Sequence, residues 1–287
     1  MIEGLSSTEK YLYHYTSAEV ALRYILPDRL LKLGRYKNTN DPKETKTWSF
    51  DIGTNENRDL GKYDMKAMSH WLNERLKHGT RILCCSRDTA PLSGNHIEDI
   101  FNRGFCKPRM WAQYGGNHSG VCLVFDKNRL SNNIRDQLSE TRTILEGPIE
   151  YRDRGIVRDL WNPDDQQYTI NIDHFEKVGS DRYAGDHFYT HHKRLFFEKM
   201  TDWSAESEWR FMTFSQKDEE VFVHVDNCLS GVIFGDSVAD ETIDEAMRVT
   251  KDLPLSFMGL RWTNCSPWYD YRNLKYIDGL NSNGAGV

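Results

Sequence analysis

Strand-forming runs gather in clusters along this chain instead of alternating with helices, and that grouping most constrains its fold. The late runs Glu208–Phe214, Val221–Val225 and Leu229–Gly235 follow one another with only short polar connections. Earlier, Tyr11–Tyr15, Leu30–Leu33, Arg81–Ser86 and Gly120–Phe125 read as strands. Helical spacing appears over Ala18, Ala21, Leu22, Ile25 and Leu26, again from Leu60 to Leu76, from Phe188 to Met200 and near Asp240–Lys251. Further strands are expected near Leu255 and Leu274. Clustered strands with helices between the clusters define an α+β chain. A single domain over residues 1–280 is expected, with an irregular, charge-rich insertion near 152–186 marked by the turn Asn162-Pro163-Asp164-Asp165, and a frayed tail over 281–287.

Composition narrows the class. With 287 residues, 38% hydrophobic and 28% charged, the chain can build an ordinary core. The net charge of −6 argues against a broadly basic surface for nucleic acid. The opening residues lack a basic region followed by an apolar run, and no stretch is long and apolar enough for a membrane span. Six scattered cysteines read as reduced thiols of a cytoplasmic protein, with the adjacent Cys84 and Cys85 pointing to opposite faces of one strand.

Common catalytic signatures are missing: there is no P-loop, H-E-x-x-H, G-x-S-x-G or paired C-x-x-C. The glycine-rich Gly115–Gly120 precedes a strand and reads as a turn. His187 and His191 stand one helical turn apart, a spacing that can hold a metal, but without a visible third ligand no metal is expected.

Three clusters remain. In Tyr13-His14-Tyr15-Thr16-Ser17 a strand runs into a helix that a Thr16/Glu19 capping box would open, and His14 sits at that edge. In Trp203-Ser204-Ala205-Glu206-Ser207-Glu208-Trp209-Arg210, strand periodicity places Glu206, Glu208 and Arg210 on one face. In Arg109–Tyr114, Trp111 and Tyr114 could share a helix face. Each also has a plain structural reading: a capping turn, a solvated edge strand, and core aromatics.

Together with Asn40-Asp41-Pro42, Glu44, Cys85-Ser86, His118 and Gly120, these clusters resemble a bacterial domain family without an assigned function, over about residues 11–277. That family in turn resembles a distant branch of the ADP-ribosyltransferase superfamily. Toxin-type members open with a pattern like Tyr13-His14-Tyr15-Thr16, although many carry glycine where Tyr15 stands. The resemblance implies a split, antiparallel-rich sheet with flanking helices, and NAD as substrate without a metal. It implies His14 on a ribose and Glu208 or Glu206 as the catalytic acid. Tyr15, Thr16, Asn40, Asp41 and Arg210 would complete the NAD site, with Tyr36, Trp111 or Tyr114 stacking on nicotinamide. The acceptor would be protein, RNA or DNA, in a toxin or antiviral-defence effector paired with an antitoxin or regulator. An NAD glycohydrolase, a nucleotide-sensing module and a hydrolase built on His187 and His191 are the alternatives.

Overall fold

The computed structural model of the chain describes residues 9–89, 92–153 and 163–270, side chains at 163–165 excepted. The strand expected near Leu274, the 281–287 tail and Asn162 lie outside the described residues. The strands are β1 Tyr11–Thr16, β2 Leu30–Arg35, β3 Asp51–Gly53, β4 Thr80–Arg87, β5 Val121–Asp126, β6 Thr143–Pro148 and β7 Glu150–Tyr151. They continue with β8 Thr169–Asn171, β9 Glu198–Lys199, β10 Glu208–Phe214, β11 Val221–His224, β12 Leu229–Phe234, β13 Ser256–Thr263 and β14 Ser266–Asp270. Ten of them form one sheet in the order β11-β2-β4-β1-β5-β12-β13-β14, with β10 lying between β4 and β6. Every pair in it is antiparallel except β12 with β13. The fold is α+β with a mixed, mostly antiparallel sheet.

One irregularity in that sheet positions everything that follows. β10 pairs with β4 along its whole length, from Glu208↔Ser86 to Phe214↔Thr80. The opposite edge of β4 is shared by two strands: β2 takes Arg81 and Ile82, and β1 takes Ser86 and Arg87. Between them, residues 83–85 have no strand partner on that edge among the described residues.

Strand alternation distributes the core. Leu83 and Cys85 of β4, with Leu12, Leu123 and Phe211, pack against the helices Lys127–Leu138 and Asp240–Val249 through Leu130, Ile134, Ile243 and Ala246. Ile82, Met212 and Phe214 face a second cluster with the helices Met65–Gly79 and Ser180–Phe196, through Leu72, Leu76, Phe188 and Phe196. The odd residues Tyr11, Tyr13 and Tyr15 of β1 enter a third cluster with Phe105 and Trp111.

Several boundaries differ from the sequence reading. The first helix is capped by Ser17, whose Oγ accepts from Val20 N at 3.2 Å, because Thr16 is still the last residue of β1. The second helix begins at Met65, where Asp64 caps it. The helix expected over 188–200 runs from Ser180 to Phe196 and gives way to β9. In the described part of 152–186, β8 pairs with β3 and is followed by the helix Ile172–Val178, so this stretch is largely regular. The helix Lys127–Leu138 and strand β6 had no counterpart in the sequence reading. No helix among the described residues is long and apolar enough to cross a membrane.

Candidate functional site

A cavity of about 370 Å³ lies where β1 and β2 part on the edge of β4. It is lined by His14 of β1, by Cys84 and Ser86 of β4, by the 38–41 loop with Glu44, and by Tyr114, Lys199, Trp203, Glu206, Glu208 and Arg210.

The two glutamates reach it by different routes. Strand β10 begins only at Glu208; Glu206 ends a 3-10 segment, Thr201–Glu206. Between them Ser207 adopts a left-handed conformation at φ 48°, a backbone state that L residues seldom hold. The reversal brings both carboxylates onto one ammonium: Lys199 Nζ lies 2.8 Å from a Glu206 oxygen and 2.8 Å from a Glu208 oxygen. Arg210 holds Glu208 from the other side with Nε and Nη2 donating at 2.6 and 3.1 Å. Its Nη1 donates to Phe196 O at 2.6 Å and lies 2.6 Å from Glu44 Oε1. The alternative of a solvated edge-strand face does not hold, since Glu206, Glu208 and Arg210 are all buried.

Their environments separate the two acids. Burial raises the Glu208 carboxyl, but Arg210 and Lys199 outweigh it and bring it down to about 2. Burial also raises Glu206, and there Lys199 offsets the effect only in part, so its carboxyl stays above the usual value. Glu206 has one further partner, the Tyr114 hydroxyl, which donates at 3.3 Å and itself accepts from Asn40 Nδ2 at 3.3 Å. Tyr114 titrates only at about 12, first through burial and then through Glu206, so it remains a donor. Glu208 is held as a negative charge by its two cations, whereas Glu206 gives up its proton less readily than an ordinary carboxyl.

His14 fills the gap in the sheet. Its Nδ1 is 3.0 Å from Cys84 O, and a carbonyl only accepts, so Nδ1 carries the proton. Burial lowers its pKa, which keeps the ring neutral and leaves Nε2 as an acceptor. Asp41 accepts from Lys43 N through Oδ1 at 2.9 Å, capping the short helix Pro42–Thr45. Asp41 Oδ2, Ser86 Oγ and Thr39 Oγ1 are buried with no hydrogen-bond partner among the described residues. The register Tyr13↔Ser86↔Glu208 sets the Ser86 side chain in the row of Glu208. Four buried carboxylates, those of Asp41, Glu44, Glu206 and Glu208, face two buried cations, Lys199 and Arg210. Lys32 also lines the cavity, so with all four carboxyls ionised acid exceeds base by one. Such a site suits hydroxyls, amides or an organic cation better than a phosphate.

The structure thus brings together His14, Tyr15, Asn40, Asp41, Tyr114, Glu206, Glu208 and Arg210. It places three expected site residues elsewhere. Tyr36 is fully buried against Trp48 and Phe196. Trp111 is fully buried, edge-on to Tyr15, with Nε1 donating to Phe105 O. Neither presents a ring to a ligand. Thr16, also buried, does not line the cavity. The Tyr15 hydroxyl donates to Gly104 O at 2.7 Å, so its polar end serves the fold. His187 is buried, with Nε2 on Gln167 O at 3.0 Å and its ring 4.5 Å from that of His191. Among the described residues no third His, Cys, Asp or Glu forms a metal-binding group with them.

Sequence reasoning missed Lys199 and assigned no role to Trp203. Lys199 stood in an apparent helix, Phe188–Met200; the signal against helix there was the aromatic pair Phe196-Phe197 ahead of a charge pair. Trp203 was visible in the motif, and it lines the cavity with the Arg109 and Lys199 cations each 5.3 Å from its ring centre.

Residues 110–211 match a family model described as "Protein of unknown function (DUF2971)". The segment carries a DUF2971 domain. Its match begins at the Met110-Trp111 block and ends just past the E-x-E-W-R run, so it contains Tyr114, Lys199, Trp203, Glu206, Glu208 and Arg210 but not His14 or Asp41. No curated protein and no solved structure gives a significant match to the chain.

Proposed function

We propose that this chain is an NAD-dependent ADP-ribosyltransferase, its divided sheet a distant version of the split sheet of that superfamily. One observation carries the reading: two buried glutamates that share the Lys199 ammonium meet a histidine, held through Nδ1 on Cys84 O, in one acid-rich cavity at the parting of two strands. Cleavage of the nicotinamide–ribose bond sends its electron pair to the ring nitrogen and leaves positive charge on the sugar. Glu208 stabilises that charge, His14 Nε2 accepts from a ribose hydroxyl, and Asn40 and Asp41 take further hydroxyl or amide groups. The acceptor nucleophile bonds to the ribosyl carbon and gives its proton to Glu206. Trp203 and Tyr114, not Tyr36 or Trp111, supply aromatic surface.

The test is NAD labelled in its adenylate half, incubated with the protein and separate pools of protein, RNA and DNA. Free nicotinamide with label on a macromolecule is the expected result and identifies the acceptor. Nicotinamide with free ADP-ribose would make it a glycohydrolase, and saturable binding without release a sensor. Neither binding nor release overturns the reading.

A further inference from the structure

We propose that Glu206, Glu208 and the ring of Trp203 form a binding site for a small planar organic cation, which the Lys199 ammonium occupies in the free protein. The inference rests on the proposed function only for its choice of probe. Three groups converge on one point. Nζ lies 2.8 Å from each carboxylate and 5.3 Å from the Trp203 ring centre, and all four residues line the cavity. Carboxylates with an indole face are the elements that hold organic cations in desolvated sites.

The two buried cations differ in how they are held. Arg210 is completely enclosed and rigidly engaged: Nε and Nη2 serve Glu208, while Nη1 serves Phe196 O and Glu44. Removing it would leave Glu44 and Glu208 without their shared guanidinium. Lys199 ends the two-residue strand β9, and both its ionic partners face the cavity. It is a point charge on a flexible stem. A ligand cation taking its place leaves neither glutamate uncompensated, and the carboxylate excess of the cavity tolerates the lysine remaining nearby. A planar pyridinium can lie against Trp203, which an ammonium does without using the flat shape of the ring.

Titration calorimetry with the 1-methylnicotinamide cation and with neutral nicotinamide tests this on wild type, Lys199→Met and Glu206→Gln. Lys199→Met should bind the cation about tenfold or more tighter than wild type, the scale of one desolvated cation–π contact. Neutral nicotinamide should show no such gain, and Glu206→Gln should weaken the cation. Equal or weaker cation binding by Lys199→Met, or an equal gain for the neutral ring, overturns the proposal: Lys199 would then be a structural counter-ion or a mere obstruction. Should Lys199→Met not fold, the ¹⁵N-lysine spectrum of wild type decides. The protected Lys199 ammonium signal should be lost or displaced as the cation saturates, and an unchanged signal overturns the proposal. No arm reads NAD turnover. An inactive protein that binds the cation sinks the proposed function alone, and an active one that fails these tests sinks the cation site alone.

Discussion

Two buried ionic clusters flank β1, and they are built to different ends. On one side Asp88 accepts from Gly104 N at 2.8 Å, Arg103 Nη1 at 3.0 Å and the Tyr13 hydroxyl at 3.2 Å. One acid meets one base, both carboxylate oxygens are engaged, and the cluster ties the 103–104 turn to the strand. On the other side Glu44, Arg210, Glu208, Lys199 and Glu206 form a chain of alternating charge that ends with acid in excess and faces a cavity. Burial raises the carboxyl pKa of both Asp88 and Glu206. A shifted pKa therefore does not by itself mark a functional group. The difference lies in charge balance and access: one acid paired with one base holds structure, even with Arg103 Nε left unpartnered, whereas surplus charge and unpartnered acceptors lining a cavity call for a ligand.

The sharpest test of that contrast is Glu208→Gln, which keeps shape and removes charge. NAD turnover should fall about a hundredfold or more, the usual cost of losing a preorganised electrostatic contact. Because Glu208 is buried between two cations, the fold should also weaken by about 3 kcal/mol. The sign follows from its lowered pKa. The carboxylate's contribution is full above the ordinary value of 4.5 and is lost as pH falls through about 2, so the variant's deficit should shrink over that window. Denaturant midpoints from neutral to acid pH, beside nicotinamide release, measure both.

Asp88→Asn should show the opposite balance. With an amide nitrogen in place of one of the acceptors that Arg103, Gly104 N and Tyr13 use, about 1–2 kcal/mol of stability should be lost. The loss is tempered because burial already disfavours the Asp88 charge, while turnover per folded molecule stays at the wild-type level. A turnover loss as large as that of Glu208→Gln would erase the distinction between the clusters. The smallest effect is expected for the stability of Glu206→Gln. A raised carboxyl favours folding most below its ordinary value, and that advantage is lost as pH rises through its raised value in the fold. Relative to wild type, the variant should therefore gain stability from pH 4 to pH 8 by less than the Asp88→Asn loss. A relative loss over that range would show Glu206 ionised throughout.

The sequence by itself determined whatever repeats over a few residues. Alternation put Tyr11, Tyr13 and Tyr15 opposite Leu12, and Cys84 opposite Cys85, because successive side chains of a strand leave on opposite faces. The clustering of strands gave the α+β class, and the E-x-E-W-R and Asn40-Asp41 segments marked residues that do line one cavity. Only the tertiary structure decided which of these residues work together. Lys199 meets Glu206 and Glu208 because Ser207 reverses the backbone where strand periodicity alone would continue. Glu44 meets Arg210 across 166 positions of sequence, and His14 meets Cys84 only because β1 and β2 divide one edge of β4. Tyr36 and Trp111 look like ligand-stacking rings in sequence and are core in the fold, since an aromatic residue carries no local mark of which side of it will be covered. Burial and charge pairing are sums over neighbours distant in the chain, and short-range pattern holds no record of them.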